Sequence, residues 1–124
     1  MHLHMSEVPP IDANSIEQLI AINPDDGGEF LRELIDIFLS DTPRRIDEIA
    51  AALDAGNGSV LSRAAHSIKG SSGNFGATRL ATMAHAIESH GKLSELSQVR
   101  SILPDFRNEY ERVKAALELL RTGP

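Results

Sequence analysis

The chain has 124 residues, of which 41% are hydrophobic and 24% are charged, with a formal net charge of −6 and no cysteine. This length fits one domain with a single core, and the missing cysteines exclude disulfides, thiol catalysis and cysteine-ligated metal. The negative charge argues against nucleic acid as the main partner. No run of about 18 apolar residues is present, so no membrane contact is predicted, and the composition favours a cytoplasmic protein.

The first half of the chain predicts a leader followed by two helices. Residues 1–11 are predicted to form a disordered leader, closed by two prolines. Asn14, in capping-box spacing with a glutamate, starts a short helix that ends near Ile22. A second capping box at Asp26 opens a much longer helical pattern. Pro43 interrupts that pattern, and we interpret one long helix kinked there, with a break as the alternative.

The second half predicts three more helices. A glycine-rich turn leads into the third helix, with Asn57 or Ser59 as its cap, and Gly76 ends it. A fourth helix ends at Gly91, and a fifth helix, bent at Pro104, follows it. Apolar or small residues spaced by three and four mark the inner faces of the third and fifth helices: Leu61, Ala65, Ile68, Ser72 and Phe75, and then Leu96, Val99, Leu103, Phe106, Tyr110, Val113, Leu117 and Leu120.

These helical segments predict an all-α fold. Nothing alternates with period two over a useful length, so strands are not expected. Short connections between long amphipathic segments make neighbouring helices antiparallel. We therefore predict an antiparallel up-and-down four-helix bundle with a short additional N-terminal helix, occupying residues 12–122. The apolar stripe of the last helix most simply fills its own bundle, so a monomer is expected.

One histidine stands among small residues on the outer face of the third helix. At about 100° per residue, Gly70 and Gly73 share the helical face of His66, and Lys69 lies beside them. A glycine inside a helix costs about 1 kcal/mol relative to alanine, so two on one face indicate clearance for a bulky partner. An exposed histidine is more commonly just solvated, but the lysine and the glycines favour a functional role here.

The sequence around this histidine is free of acids. There is no Asp or Glu from Ala55 to Ile87, although 18 acids among 124 residues would place about five in a window of that length. The segment is either a docking face for an anionic partner or a packed, alanine-rich hairpin with few exposed positions. It predicts that no carboxylates surround the histidine to hold a metal. Glu88 follows the window and would be an unhelpful negative charge if it pointed the same way.

The run A-A-H-S-I-K-G-S-S-G-N-F-G-A carries a recognisable motif. After His66 come Lys69, Gly70, Ser71, Ser72 and Gly76, at +3, +4, +5, +6 and +10. This spacing resembles the signature of histidine-containing phosphotransfer (HPt) domains of bacterial two-component phosphorelays, and helix order and lengths extend the resemblance from about Ile11 to Leu120. The resemblance implies a four-helix bundle with a phosphohistidine protruding from its middle. It also implies that His66 accepts a phosphoryl group from the aspartyl phosphate of one receiver domain and passes it to another.

The resemblance assigns roles to further residues. Lys69 would neutralise part of the phosphoryl charge, and Gly70 and Gly73 would let a receiver approach. Weaker support for the phosphate is expected from Arg63, Ser71 and Lys92. No metal or other cofactor is expected in the chain itself, because the Mg²⁺ that assists transfer comes from the acidic pocket of the partner receiver. No nucleotide-binding loop or kinase motif is present, so the protein is predicted to be a phosphocarrier without an ATP site rather than an enzyme.

Two other functions fit the same residues. A non-catalytic adaptor would bind a receiver or another protein through the basic face without carrying phosphate. The phosphoacceptor module of a chemotaxis-type kinase would instead be labelled by a kinase domain that uses ATP. Response-regulator receiver domains are the expected partners. The sequence fits both a free-standing protein and the C-terminal domain of a hybrid sensor kinase, which would place the domain at the cytoplasmic end of a membrane-bound protein.

Overall fold

The chain folds into five α-helices, which a computed structural model describes over residues 8–123. They are α1 (Ala13–Ile22), α2 (Glu29–Asp54), α3 (Gly58–Asn74), α4 (Thr78–Lys92) and α5 (Leu96–Thr122). Helices α2 to α5 pack in chain order and α5 returns against α2, so they close a four-helix bundle, while α1 packs against α2 and α3. The predicted all-α bundle with an additional N-terminal helix is confirmed, and residues 8–123 contain no strand. None of these five helices is long and apolar enough to cross a membrane.

Side-chain caps define where α1 and α3 begin. The Asp12 carboxylate accepts a hydrogen bond from the backbone N–H of Ser15 at 2.9 Å. The cap of α1 is therefore Asp12 and not the predicted Asn14, because a capping oxygen must reach an N–H of the first turn. At α3 the Asn57 side chain accepts from a first-turn N–H at 3.1 Å. That contact decides between the two predicted caps in favour of Asn57 over Ser59.

The residues just before α1 belong to the folded domain. Ile11 packs against the hydrophobic core, and the Val8 carbonyl accepts a hydrogen bond from the guanidinium of Arg112 on α5. The prediction that residues 8–11 are part of a disordered leader is therefore wrong, because their apolar and backbone groups have partners in the bundle. The rest of that prediction, for residues 1–7, lies outside the residues that the structure describes.

Helix α2 is a single helix that starts slightly later than predicted. Its N-cap is Gly28, whose φ of +84° is in the left-handed region that glycine adopts without strain. The Asp26 carboxylate accepts the N–H groups of Gly28 and Phe30 at 2.9 and 3.0 Å, so it still satisfies free donors at this end. Pro43 lies inside the continuous helix. The interpretation as one long helix is confirmed, and the alternative of a break is wrong.

The core lies between the four long helices. All five predicted inner residues of α3 are buried. The predicted stripe of α5 is buried or half-buried from Leu96 to Leu117, but Leu120 is 40% exposed, so the prediction is wrong for that residue. A stripe with a repeat of 3.5 residues drifts by about 20° per heptad around a straight α-helix. Over the length of α5 this rotation carries the last leucine away from the core.

A pair of glycines sets the close approach of α3 and α4. A Cβ atom on Gly58 would lie 2.4 Å from the carbonyl oxygen of Gly91, and a Cβ on Gly91 would lie 2.7 Å from a methyl of Leu61. No larger residue fits at either position without a shift of backbone or core. The start of α3 and the end of α4 can therefore touch directly, which brings side chains of α4 under the outer face of α3.

Candidate functional site

His66 lies on the outer face of α3, where this helix contacts α4. Its ring stands out from the bundle, with 65% of the side chain exposed. Beneath it lies Glu88 of α4, whose side chain is only 6% exposed. The Nδ1 atom of the ring is 2.8 Å from Oε2 of Glu88. The close packing of the two helices thus places a buried carboxylate under an exposed imidazole.

Glu88 is the centre of a cluster of basic side chains. Lys69 Nζ donates a hydrogen bond to Oε1 at 2.8 Å, Lys92 Nζ is 3.4 Å from Oε2, and His85 Nδ1 is 3.7 Å from Oε1. The pKa of Glu88 falls from an ordinary 4.5 to about 2, chiefly because Lys69 donates to the carboxylate and also because His66 bonds to it, while burial acts in the opposite direction. Glu88 is therefore ionised at neutral pH.

The ionised carboxylate determines the tautomer of His66. A carboxylate without a proton can only accept hydrogen bonds, so the hydrogen bond between the two side chains requires a proton on Nδ1 of the ring. In the neutral imidazole the other nitrogen, Nε2, then carries the free lone pair. Nε2 has no hydrogen-bond partner within residues 8–123. The arrangement leaves one nucleophilic nitrogen at the exposed side of the ring.

Within residues 8–123, the single carboxylate at His66 is Glu88, the residue whose orientation the sequence left open. The acid-free window ends at Ile87, and Glu88 is the next residue. Helix packing, which sequence separation does not report, brings this residue across from α4. Glu88 does point toward His66, and Lys69 pairs with its negative charge. The available signal was the spacing of Glu88 from His85 and Lys92, at three and four residues along one helix face.

Gly70 and Gly73 lie on open surface beside the histidine. A Cβ atom built on either glycine would meet no atom within 4 Å. Neither glycine is therefore needed for packing within the domain, in contrast to the glycine pair that joins α3 to α4. Both lower the helix propensity of α3, at about 1 kcal/mol each. Both glycines leave open space on the surface beside His66.

The three residues predicted to give weaker support lie in different surroundings. Lys92 joins the cluster around Glu88. Arg63 is exposed one turn before His66 and forms no hydrogen bond with it. The Ser71 hydroxyl donates within α3, to the carbonyls of residues 67 and 68, and the residue lines a groove between α3 and α2. Helix geometry separates Ser71 from the cluster, because five residues correspond to about 140° of rotation.

A metal site built from several ligands is not found in the described part of the chain. No group of three or more His, Asp or Glu side chains in residues 8–123 is placed to hold a metal ion. The site brought together by the fold consists of two imidazoles, one carboxylate and two ammonium groups. Such a set can orient a nucleophilic nitrogen and bind an anionic group.

The comparison with protein families decides what kind of domain this is. The family model of the Hpt domain matches residues 33–121. The chain belongs to the Hpt domain family. It is also similar to the crystal structure of histidine-containing phosphotransfer protein B (HptB) from Pseudomonas aeruginosa PAO1, with 29% identity and a TM-score of 0.83 over 92% of this chain and 96% of that one. A comparison with curated proteins finds no match.

Membership in this family confirms the resemblance seen in the motif. The Hpt domain has a histidine phosphotransfer role in phosphorelays, in which it interacts with receiver domains. It is a phosphocarrier module and not a catalytic enzyme. The exposed imidazole on α3 is compatible with this role, since a carrier needs an accessible nucleophile and little else.

Proposed function

We propose that His66 is the phosphoacceptor, which takes a phosphoryl group from the aspartyl phosphate of one receiver domain and passes it to another. The observation that carries this proposal is the exposed ring whose Nδ1 is held by Glu88, leaving Nε2 free. A fixed tautomer and a fixed ring plane reduce the reorganisation needed before attack. The second nitrogen is therefore ready for in-line attack on a phosphorus atom presented from outside the bundle.

The transfer step is a displacement at phosphorus. The Nε2 lone pair forms a bond to phosphorus, and the bond from phosphorus to the aspartyl oxygen breaks, with its electron pair leaving on the aspartate carboxylate. The ring gains positive charge as Nε2 bonds. Glu88 stabilises that charge by accepting the hydrogen bond from Nδ1–H. No proton has to leave the ring before attack, and the reverse step delivers the group to a second receiver.

Lys69 is the residue of this domain that binds the phosphoryl oxygens during transfer. Its side chain is partly exposed and lies within one helical turn of His66. Transfer requires further stabilisation of the equatorial oxygens, by a metal or a dense set of donors. We assign that metal, Mg²⁺, to the acidic pocket of the receiver, as the family resemblance implies. The Hpt chain then contributes the nucleophile, its orientation and one cation.

The surface around the two open glycines is where we place the receiver. Gly70 and Gly73 offer free space next to His66. The groove between α2 and α3 lies farther round α3 and includes Ile37, which is 62% exposed. An exposed apolar side chain suits a protein partner, because burying it on docking is favourable.

Labelling with a phosphorylated receiver tests the proposal. The wild-type chain should acquire a phosphate that is stable in base and labile in acid, and His66→Gln should acquire none. His90→Gln is the matched control. That histidine lies on α4 and also bonds a glutamate, Glu95, at 2.9 Å, and its loss should leave labelling intact. Label on His66→Gln would show that another residue is the acceptor.

The same experiment separates the two alternative functions. An adaptor would bind the receiver with equal affinity in the wild type and in His66→Gln, and the wild type would take no label. The phosphoacceptor module of a chemotaxis-type kinase would take label from a kinase domain and ATP but not from a phosphorylated receiver. Whether the domain is free-standing or the end of a hybrid sensor kinase stays a prediction.

A further inference from the structure

A polar cleft opens beside His66, between the first two turns of α3 and the end of α4. Its volume is about 380 Å³. The cleft is lined by Ser59, Ser62, Arg63, Gly91, Lys92 and Ser94. Two of these residues are cations, three carry hydroxyl groups, and none is acidic. Its side chains therefore match a ligand with negatively charged oxygens.

Arg63 differs from the other cations near the site in having no carboxylate partner. Lys69 and Lys92 both contact Glu88. Arg45, on the neighbouring α2, contacts carboxylates on its own helix. Arg63 makes no ion pair and its guanidinium donates no hydrogen bond within residues 8–123. Around His66 the cations Arg63, Lys69 and Lys92 outnumber the one buried carboxylate, Glu88. Arg45 offsets Glu48 in a second cleft that Arg63 also lines, so this patch is positive on a protein with a net charge of −6.

The cleft has a rigid floor. Gly58 and Gly91 approach closely there, since a Cβ atom on Gly58 would lie 2.4 Å from the Gly91 carbonyl oxygen. The Ser62 hydroxyl donates to the backbone carbonyl of Glu88 at 3.1 Å, which ties the wall to α4. At the rim Ser94 adopts a φ of +57°, a left-handed conformation that is uncommon for a residue other than glycine. A fixed framework of this kind lowers the entropy that a bound group must lose.

We propose that this cleft is an oxyanion subsite, in which Arg63 and Lys92 bind a carboxylate of the receiver domain that docks over His66. The inference rests on the proposed function, because the occupant is the same partner. Arg63 is three residues from His66, about 5 Å along the helix axis. One side of a standard protein interface covers about 800 Å², a disc about 16 Å in radius. A partner of this size centred on His66 also covers Arg63.

The physical role of the subsite is partner selection and docking. An arginine at the rim of an interface changes the association rate and its salt dependence more than the chemical step. Arg63 is placed to bind a carboxylate with two donors of its planar guanidinium, which a lysine cannot do. A receiver with an acid at the matching position is expected to bind more tightly than one with a neutral residue there. Arg63 is therefore assigned as a specificity-determining residue and not as a catalytic one.

The test measures receiver binding and transfer with Arg63→Ala and Arg63→Glu. Arg63→Ala is expected to raise the Kd for the receiver by about fivefold at low salt, and Arg63→Glu to raise it further. Both effects should shrink at about 0.5 M salt, where screening is strong. In transfer assays the KM should rise while kcat stays at the wild-type value. Arg107→Ala is the control, because Arg107 is an exposed cation on α5 that also has no carboxylate partner in residues 8–123.

Inorganic phosphate is the second probe and distinguishes a free anion from a receiver carboxylate. Phosphate that fills the cleft should compete with the receiver and raise its Kd for the wild type but not for Arg63→Ala. Equal receiver affinities for the wild type and Arg63→Ala would overturn the proposal, even if phosphate shifts the amide resonances of the cleft. A loss confined to kcat would also overturn it, because that would place Arg63 in the chemical step.

The binding measurement is repeated in the His66→Gln chain, which cannot carry phosphate on that residue. Removing Arg63 should weaken binding there by the same factor as in the wild type. The proposed function fails if His66 takes no label, whereas the subsite fails if removing Arg63 leaves binding unchanged in both chains. The two results are independent of each other.

Discussion

Replacing Glu88 by glutamine should change how the stability of the domain depends on pH. The folded-state pKa of about 2 lies below the ordinary value of 4.5, mainly because Lys69 donates to the carboxylate. Ionised Glu88 therefore stabilises the folded protein above pH 4.5, and this contribution is lost as the pH falls toward 2. The difference between the two pKa values corresponds to about 3 kcal/mol in total. About 2 kcal/mol of this should disappear between pH 5 and pH 3.

Urea denaturation of the wild type and Glu88→Gln across that pH range measures the effect. The free energy of unfolding of the wild type, relative to the variant, should fall by about 2 kcal/mol from pH 5 to pH 3. The range lies below the ordinary titration of histidine, near 6.5, so the comparison reports mainly on the carboxylate. Glu95→Gln is the control, since that carboxyl also bonds a histidine, at 2.9 Å, but its side chain is 48% exposed.

The control variant should alter the pH dependence by less than about 0.5 kcal/mol, because exposed ion pairs contribute little. A constant difference between the wild type and Glu88→Gln from pH 5 to pH 3 would refute the reasoning. It would mean that Lys69 and His66 do not hold the carboxylate in its charged form in the folded protein. A carbon NMR titration of the Glu88 carboxyl gives the same answer directly, with an expected midpoint near pH 2.

Three further substitutions have expected outcomes. Lys69→Ala should slow phosphotransfer from a receiver by about 10- to 100-fold in single-turnover labelling, because it removes one charge-assisted hydrogen bond to the phosphoryl group. Gly73→Ala should raise the free energy of unfolding by about 0.5–1 kcal/mol, because its Cβ meets open space, whereas Gly73→Leu should raise the KM for the receiver without destabilising the fold. Gly91→Ala should destabilise the domain by about 1–3 kcal/mol in urea denaturation, because its Cβ would lie 2.7 Å from Leu61.

The motif around His66 and the open glycines could be predicted from sequence because they depend only on one helix. Rotation by about 100° per residue places these side chains on one face whatever the helix packs against. The buried stripe of α3 follows from the same periodicity, and all its members are buried. Local chemistry also narrowed the cap of α3 to Asn57 or Ser59, and the side chain of Asn57 bonds a backbone group three residues away.

The caps of α1 and α2 were harder to predict because several nearby polar residues compete for the same role. Asp12 and Asn14 are both good capping residues, and the choice depends on where the chain turns to meet the bundle. The extension of the folded domain to residues 8–11 likewise depends on contacts with α5 that local sequence does not encode.

By itself the sequence determined the helical periods, the exposed face of α3 and the family motif, since each arises from residues within a few turns of one another. Only the tertiary structure decided that Glu88 lies under His66 and that Arg63 and Lys92 share a cleft. Those pairs are 22 and 29 residues apart and sit on different helices. Their distances are set by the axial register and close approach of α3 and α4, which the glycine contact at Gly91 makes possible.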